Sequence, residues 1–222
     1  MAILLDNSGS MERDAPGERR PKYRIAREAI EAMIASTDAF VGQQPDFRVN
    51  VGLYQFASEV VTLVPVRPYD RAELVAALNA MPEPEGGTAI GDAMEVARAD
   101  LYRAGTIRKY ILVVTDGENT AGRSPESVAR EIARRSEGGV RQYFVAFDVD
   151  ADVFSFVREV QGDVLGARNG VTLRASLDTI YRGRILAEAM DAGETLPAVR
   201  RDSGSTSGAA DSARSSTPRT TR

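Results

Sequence analysis

Apolar residues recur along this chain in two spacings, and the two alternate. Ala2 to Leu5 form a short, wholly apolar run that ends at Asp6. Ile25, Ala29, Ile30, Met33 and Ile34 then fall three and four apart or side by side, the pattern of a helix with one buried face. Val49, Val51, Leu53 and Phe56 come close to the alternation of a strand. Val60 to Val66 follows across the short link Ala57-Ser58-Glu59, which predicts a hairpin. Helical spacing returns at Leu74, Leu78 and Met81, and again over Ile90, Ala93, Met94, Ala97 and Leu101. Tyr110 to Val114 and Tyr143 to Phe147 are apolar throughout, as strands buried on both faces are. Ser124-Pro125-Glu126 opens a further helix, with a capping hydroxyl and a proline in the first turn. A helix through Phe154 and Val157 comes next, and the stretch from Leu177 to Met190 closes the folded part.

Strands that alternate with helices of ten to twenty residues predict an α/β domain. Its central sheet should be doubly wound and mostly parallel, with helices on both faces and one antiparallel edge strand from the hairpin. That domain is expected over residues 1–191, followed by a linker and tail over 192–222. From Ser203 to Arg222, Ser, Thr and Gly supply 12 of 20 residues and the only apolar side chains are alanines. Such a segment buries too little surface to offset the entropy of ordering it, so disorder is expected there.

Composition narrows the chemistry. The 222 residues include no Cys and no His. Without Cys there is no disulfide, thiol nucleophile or thiolate-held zinc. Without His the usual general base, the Ser-His-Asp triad and the commonest transition-metal ligand are gone. No Gly-Lys-Ser/Thr occurs, which excludes a P-loop. A net charge of −4 gives no reason to expect nucleic acid as a partner. No apolar run approaches the roughly 20 residues of a membrane helix, and Met1 to Leu5 are too few for a signal-peptide core. Read as it stands, the chain is expected in the cytoplasm; a start upstream of Met1 would allow export or membrane anchoring.

What remains is oxygen chemistry, and it gathers at strand ends. Asp6 follows Ile3-Leu4-Leu5 and Asp116 follows Val113-Val114-Thr115. In an open parallel sheet, ligands bind in the crevice at the carboxyl ends of the strands. Asp6 begins Asp6-Asn7-Ser8-Gly9-Ser10, which puts two hydroxyls on the loop that carries the first carboxylate. Gly86-Gly87-Thr88 brings a third hydroxyl to the start of a helix. Two carboxylates and three hydroxyls suit a hard cation, Mg²⁺ or Mn²⁺, with Ca²⁺ as a further option.

The segments DNSGSM, GGTAIGDAM and VVTDGENT, in that order, resemble the metal-ion-dependent adhesion site of von Willebrand factor type A domains, and the likeness runs from about Ala2 to Met190. The resemblance implies that Ser8, Ser10 and Thr88 ligate the metal directly and that Asp6 and Asp116 act mainly through bound water. It also implies an open coordination position, filled by a Glu or Asp carboxylate of a protein partner. The function it implies is non-enzymatic: a divalent-metal-dependent protein-binding module. Two other roles fit the same residues. One is an adaptor for a separate AAA+ ATPase, as some relatives are; the other is a metal-dependent hydrolase using Asp6 or Asp116 as base.

Other charged groups read as ordinary structure. Asp148, Asp150, Asp152 and Glu159 mimic a calcium loop, but Val153 stands where its sharp turn needs Gly. The segment reads instead as a packed helix capped by Asp152. Asp92 suits the first turn of a helix, and Glu118 the turn at Gly117. Arg13, Arg19, Arg20, Lys22, Arg24 and Arg27 are interleaved with Glu12, Asp14 and Glu18, the pattern of a solvated loop and helix start.

Overall fold

The structure is a computed structural model that describes residues 1–44, 47–188 and 190. The expected linker and tail, 192–222, lie outside the described residues. Within them the chain builds a six-stranded sheet in the order β3-β2-β1-β4-β5-β6. The strands are β1 (Ala2–Asp6), β2 (Asn50–Phe56), β3 (Val60–Pro68), β4 (Lys109–Thr115), β5 (Val140–Phe147) and β6 (Asp163–Ala167). All neighbouring pairs are parallel except β2 with β3, the expected hairpin, which places an antiparallel strand at the edge.

The helices are α1 (Lys22–Gln43), α2 (Arg71–Asn79), α3 (Ile90–Arg103), α4 (Pro125–Ser136), α5 (Phe156–Glu159) and α6 (Gly170–Ile180). Strand pleating assigns them to two layers, because successive side chains leave a strand on opposite faces. Ile3 and Leu5 of β1, with Leu112 and Val114 of β4, pack with Ile30 and Ile34 of α1, Leu74 of α2 and Leu173 of α6. Ala2 and Leu4, with Ile111 and Val113, pack on the other face with Met94 of α3, Val128 of α4 and Val157 of α5. Strands covered on both faces can be apolar at every position, which is why Ala2–Leu5 of β1, Tyr110–Val114 of β4 and Tyr143–Phe147 of β5 read as unbroken apolar runs.

Connection order creates the functional geometry. The crossover from β1 leads outward to β2, whereas β4 returns to the opposite side of β1, so the strand order reverses between β1 and β4. This switch point is where an open α/β sheet leaves a crevice, and Asp6 and Asp116 stand at its two lips.

One expectation needs correction, and two elements went undefined by the sequence pattern. The sequence pattern missed β6, whose five residues Asp163–Ala167 include a Gly and whose interior is only partly buried, so no apolar run announces it. The stretch expected to close the folded part from Leu177 belongs to a helix that starts at Gly170, with Asn169 and Thr172 forming a reciprocal cap, and that widens into a π-helical turn over Tyr181–Leu186. The Phe154–Val157 segment is a 3-10 turn plus one short helix, and its cap is Asp150, whose carboxylate accepts from the Asp152 N–H.

Candidate functional site

The loop after β1 folds back over the strand end. Asp6 Oδ1 accepts from the Ser8 backbone N–H at 2.8 Å, and Asp6 Oδ2 accepts from the Thr115 hydroxyl of β4 at 2.5 Å. The Ser8 and Ser10 hydroxyl oxygens lie 3.1 Å apart, and the Ser10 hydroxyl donates to Asp116 Oδ1 at 2.6 Å. One hydrogen-bonded array therefore joins four of the five expected residues across the β1–β4 crevice.

Thr88 arrives on a separate loop that two neighbours hold. The Gly9 N–H donates to the Gly86 carbonyl at 3.1 Å, which ties this loop to the one carrying Ser8 and Ser10. Gly86 takes a left-handed conformation (φ 72°) that a side chain would strain. On the other side, the Thr88 N–H donates to the Thr120 hydroxyl at 2.9 Å, and the Thr88 carbonyl accepts from the Thr120 and Ala121 N–H groups. Among the described residues the Thr88 hydroxyl makes no hydrogen bond of its own, although the residue is buried. It is left available.

The segment after Asp116 does more than sequence reasoning assigned to it. The N-cap residue of α3, Ala89, has no capping side chain; instead Asn119 Oδ1 accepts from the Ile90 and Gly91 N–H groups, at 2.8 and 3.4 Å. Asp92 in turn accepts from the Arg123 N–H. Any Cβ at Gly91 would sit 2.2 Å from the Arg123 carbonyl oxygen, so only glycine lets α3 approach this loop. The runs GGTAIGDAM and TDGENT thus lock each other in place through Asn119 and Thr120, and Asp92, in the first turn of α3 as expected, also ties that helix to the Arg123 backbone.

The two carboxylates differ in their electrostatics. Asp6 is fully buried and, among the described residues, accepts hydrogen bonds from neutral donors only. Burial pushes its carboxyl up to about 6, against the pull of the Ser8 and Thr115 hydrogen bonds and with a smaller push from the Asp116 charge. Asp116 is also buried, but its Oδ2 lies 2.5 Å from the ammonium of Lys22, the first residue of α1. That contact is an ion pair rather than a well-formed hydrogen bond, and Oδ2 has no hydrogen-bond partner among the described residues. Lys22, expected in solvent, is only 4% exposed, and it also pairs with Asp148 at 3.2 Å. Neither Lys22 nor Asp148 was legible as part of this site.

The donor set fits a hard divalent cation. Four of the oxygen-bearing residues are linked, the Thr88 hydroxyl makes no hydrogen bond among the described residues, and the second Asp116 oxygen is held by the Lys22 ammonium rather than by a hydrogen bond. Among the described residues no cluster of three or more carboxylates forms a ready cage, so an ion here would depend on the hydroxyls as well. Hard cations accept such mixed oxygen sets.

The sequence model of the von Willebrand factor type A domain matches residues 1–164. This chain belongs to the von Willebrand factor type A domain family. Solved structures agree at the level of fold. The type A chain shares 17% identity with BatB of Bacteroides thetaiotaomicron over 82% of its own length and 96% of that chain, with a TM-score of 0.64. With the PilB minor pilin of Streptococcus sanguinis (D319A mutant) it shares 15% identity over 88% of its own length and 62% of the other, with a TM-score of 0.69. A von Willebrand factor type A structure from Catenulispora acidiphila is 21% identical, with 81% of this chain and 41% of that chain covered and a TM-score of 0.63. A search of curated proteins found no match. Type A domains are a family of protein-interaction and adhesion modules, and no helix among the described residues is long and apolar enough to cross a membrane.

Proposed function

We propose that this type A domain binds a divalent cation, Mg²⁺ or Mn²⁺, at the β1–β4 switch point and uses it to capture a Glu or Asp carboxylate of a protein partner. The observation that carries the reading is the array running Asp6–Ser8–Ser10–Asp116, with the Thr88 loop tied to it through Gly9 and Gly86 and the Thr88 hydroxyl without a hydrogen bond among the described residues. Ser8, Ser10 and Thr88 would hold the ion, and Asp6 and Asp116 would accept from its bound waters. When bound, the ion supplies an electrophilic position for an incoming carboxylate, and neutral hydroxyl ligands leave more of its charge for that partner.

The chain's own residues do the positioning. Thr115 fixes the Asp6 carboxylate in the crevice, Thr120 fixes the Thr88 loop, and Asn119 anchors the helix that follows it. These contacts pre-organise the oxygens, so less ordering entropy is lost on binding. The role is read as binding and not catalysis.

Water relaxation tests this directly. The full chain, stripped with chelator and loaded with Mn²⁺, should enhance the relaxation of solvent water, and glutarate should then reduce that enhancement by displacing metal-bound water. Enhancement that glutarate and an acidic peptide both leave unchanged would overturn carboxylate capture. No enhancement at all would overturn the metal site.

A further inference from the structure

The cation already lodged in this site is Lys22, and its placement calls for an explanation. It is one of two lysines in the chain, against 26 arginines. It occupies the first position of α1, where the helix dipole disfavours positive charge and no acidic residue shares the first turn. Helix chemistry therefore does not account for it, whereas its carboxylate neighbours do: Asp116 at 2.5 Å and Asp148 at 3.2 Å.

Its backbone is fixed by the loop that starts at the expected metal ligands. The Arg13 N–H donates to the Ser10 carbonyl at 3.2 Å, the Lys22 N–H donates to the Arg13 carbonyl at 2.9 Å, and Asp14 bridges Pro21. Only the four-carbon stem remains adjustable. A compact ammonium on such a stem can shift between two carboxylates, where a planar guanidinium would be held in a fixed fork.

Asp148 is built to receive it. It follows β5 in a left-handed conformation (φ 58°), uncommon for a residue other than glycine, and its N–H donates to the Ala167 carbonyl at 2.7 Å. The conformation turns its side chain to the same crevice as Asp116. Its side chain is 32% exposed, whereas that of Asp116 is closed off.

We propose that Lys22 is an internal counter-cation that competes with the divalent ion for Asp116, and that Asp148 is the carboxylate to which its ammonium is handed when the ion binds. The inference rests on the metal-site reading above. It makes Lys22 and Asp148 determinants of ion affinity without either being a ligand. Lys22 lowers affinity by occupying Asp116 and by repelling a second positive charge at short range. Asp148 raises affinity by offering the ammonium another partner.

The two residues therefore give opposite predictions, which a merely structural role would not. In titration calorimetry of the full chain with Mn²⁺ alone, Lys22→Gln should bind about tenfold more tightly than the unaltered protein, and Asp148→Asn at least about threefold more weakly. Asparagine tolerates the left-handed conformation, so Asp148→Asn keeps the fold. Lys22→Arg, which keeps the charge, should not tighten binding. In chelator Lys22→Gln should melt at lower temperature than the unaltered protein, yet gain more degrees on adding Mn²⁺. Lys22→Gln that binds Mn²⁺ equally or more weakly, or Asp148→Asn that binds it equally or more tightly, overturns the hand-off while leaving the metal site standing. Absence of Mn²⁺ binding in every variant, the unaltered chain included, overturns both.

Discussion

Asp6 ends β1 and Asp116 follows the last residue of the neighbouring parallel strand β4; both are buried, and both accept a hydroxyl hydrogen bond at about the same distance. Their surroundings nevertheless differ. Asp6 is met by a backbone N–H and a threonine hydroxyl, and its carboxyl is pushed up to about 6 by burial. Asp116 is met by the ammonium of Lys22. A buried carboxylate can be solvated by dipoles or matched by a charge, and only the second leaves a counter-ion that something else must displace. One half of the site is thus costly to ionise, while the other is held by a resident cation.

Breaking the charged half should have the largest effect. With chelator present, Asp116→Asn leaves the buried Lys22 ammonium with Asp148 alone, and stability should fall by about 3 kcal/mol, since removing one partner of a buried ion pair strands the other. At this chain length that lowers the melting temperature by roughly 6–12 °C. Little or no loss would mean that Lys22 finds water instead.

Altering the dipolar half should act in the opposite sense. Asp6→Asn keeps an acceptor for the Ser8 N–H and gains a donor for the Thr115 hydroxyl, so the metal-free protein should gain on the order of 2–3 kcal/mol at pH 7.5. The sign follows from proton linkage. The folded carboxyl titrates at about 6 and the unfolded one near 3.8, so the folded state binds more protons in between. Asp6 therefore subtracts stability as pH rises through that window. The advantage of Asp6→Asn over the unaltered chain should be complete above about pH 6 and vanish below pH 4. Denaturant melts at pH 4, 5, 6 and 7.5 would expose a flat difference, which would refute the account of Asp6.

A double-mutant cycle sharpens the contrast. Lys22→Met and Asp116→Asn together should cost less than their separate effects added, by about 2 kcal/mol, because the pair is in contact. Asp6→Asn with Asp116→Asn should couple far more weakly. The smallest expected effect is that of Thr88→Ala on the metal-free protein, within about 1 kcal/mol, because its hydroxyl supports no hydrogen bond among the described residues.

Much of the fold was readable because burial on both faces leaves β1, β4 and β5 as plain apolar runs. The edge strand β6 was not, since its five residues mix two buried positions with two partly buried ones and an exposed glycine and carry no such signal. At the site, Asp6, Ser8, Ser10, Thr88 and Asp116 could be named because each lies in a short local motif at a strand end or helix start. Lys22 and Asp148 could not be. Their sequence neighbourhoods are rich in charge, and only the return of α1 across the crevice brings the lysine 126 residues back against Asp148. Asn119 was hidden for the same reason: it caps a helix that begins 29 residues before it.

The central claim is that the strand-end oxygens form a divalent-cation site, and thermal unfolding of the full chain tests it most directly. The chain would be melted in chelator and then with Mg²⁺ or Mn²⁺ at about ten times the dissociation constant, beside Thr88→Ala. The account predicts an added stability of about 1.4 kcal/mol, or roughly 3–6 °C, in the unaltered protein and almost none in Thr88→Ala. No shift with either ion, or an equal shift in both proteins, would contradict it.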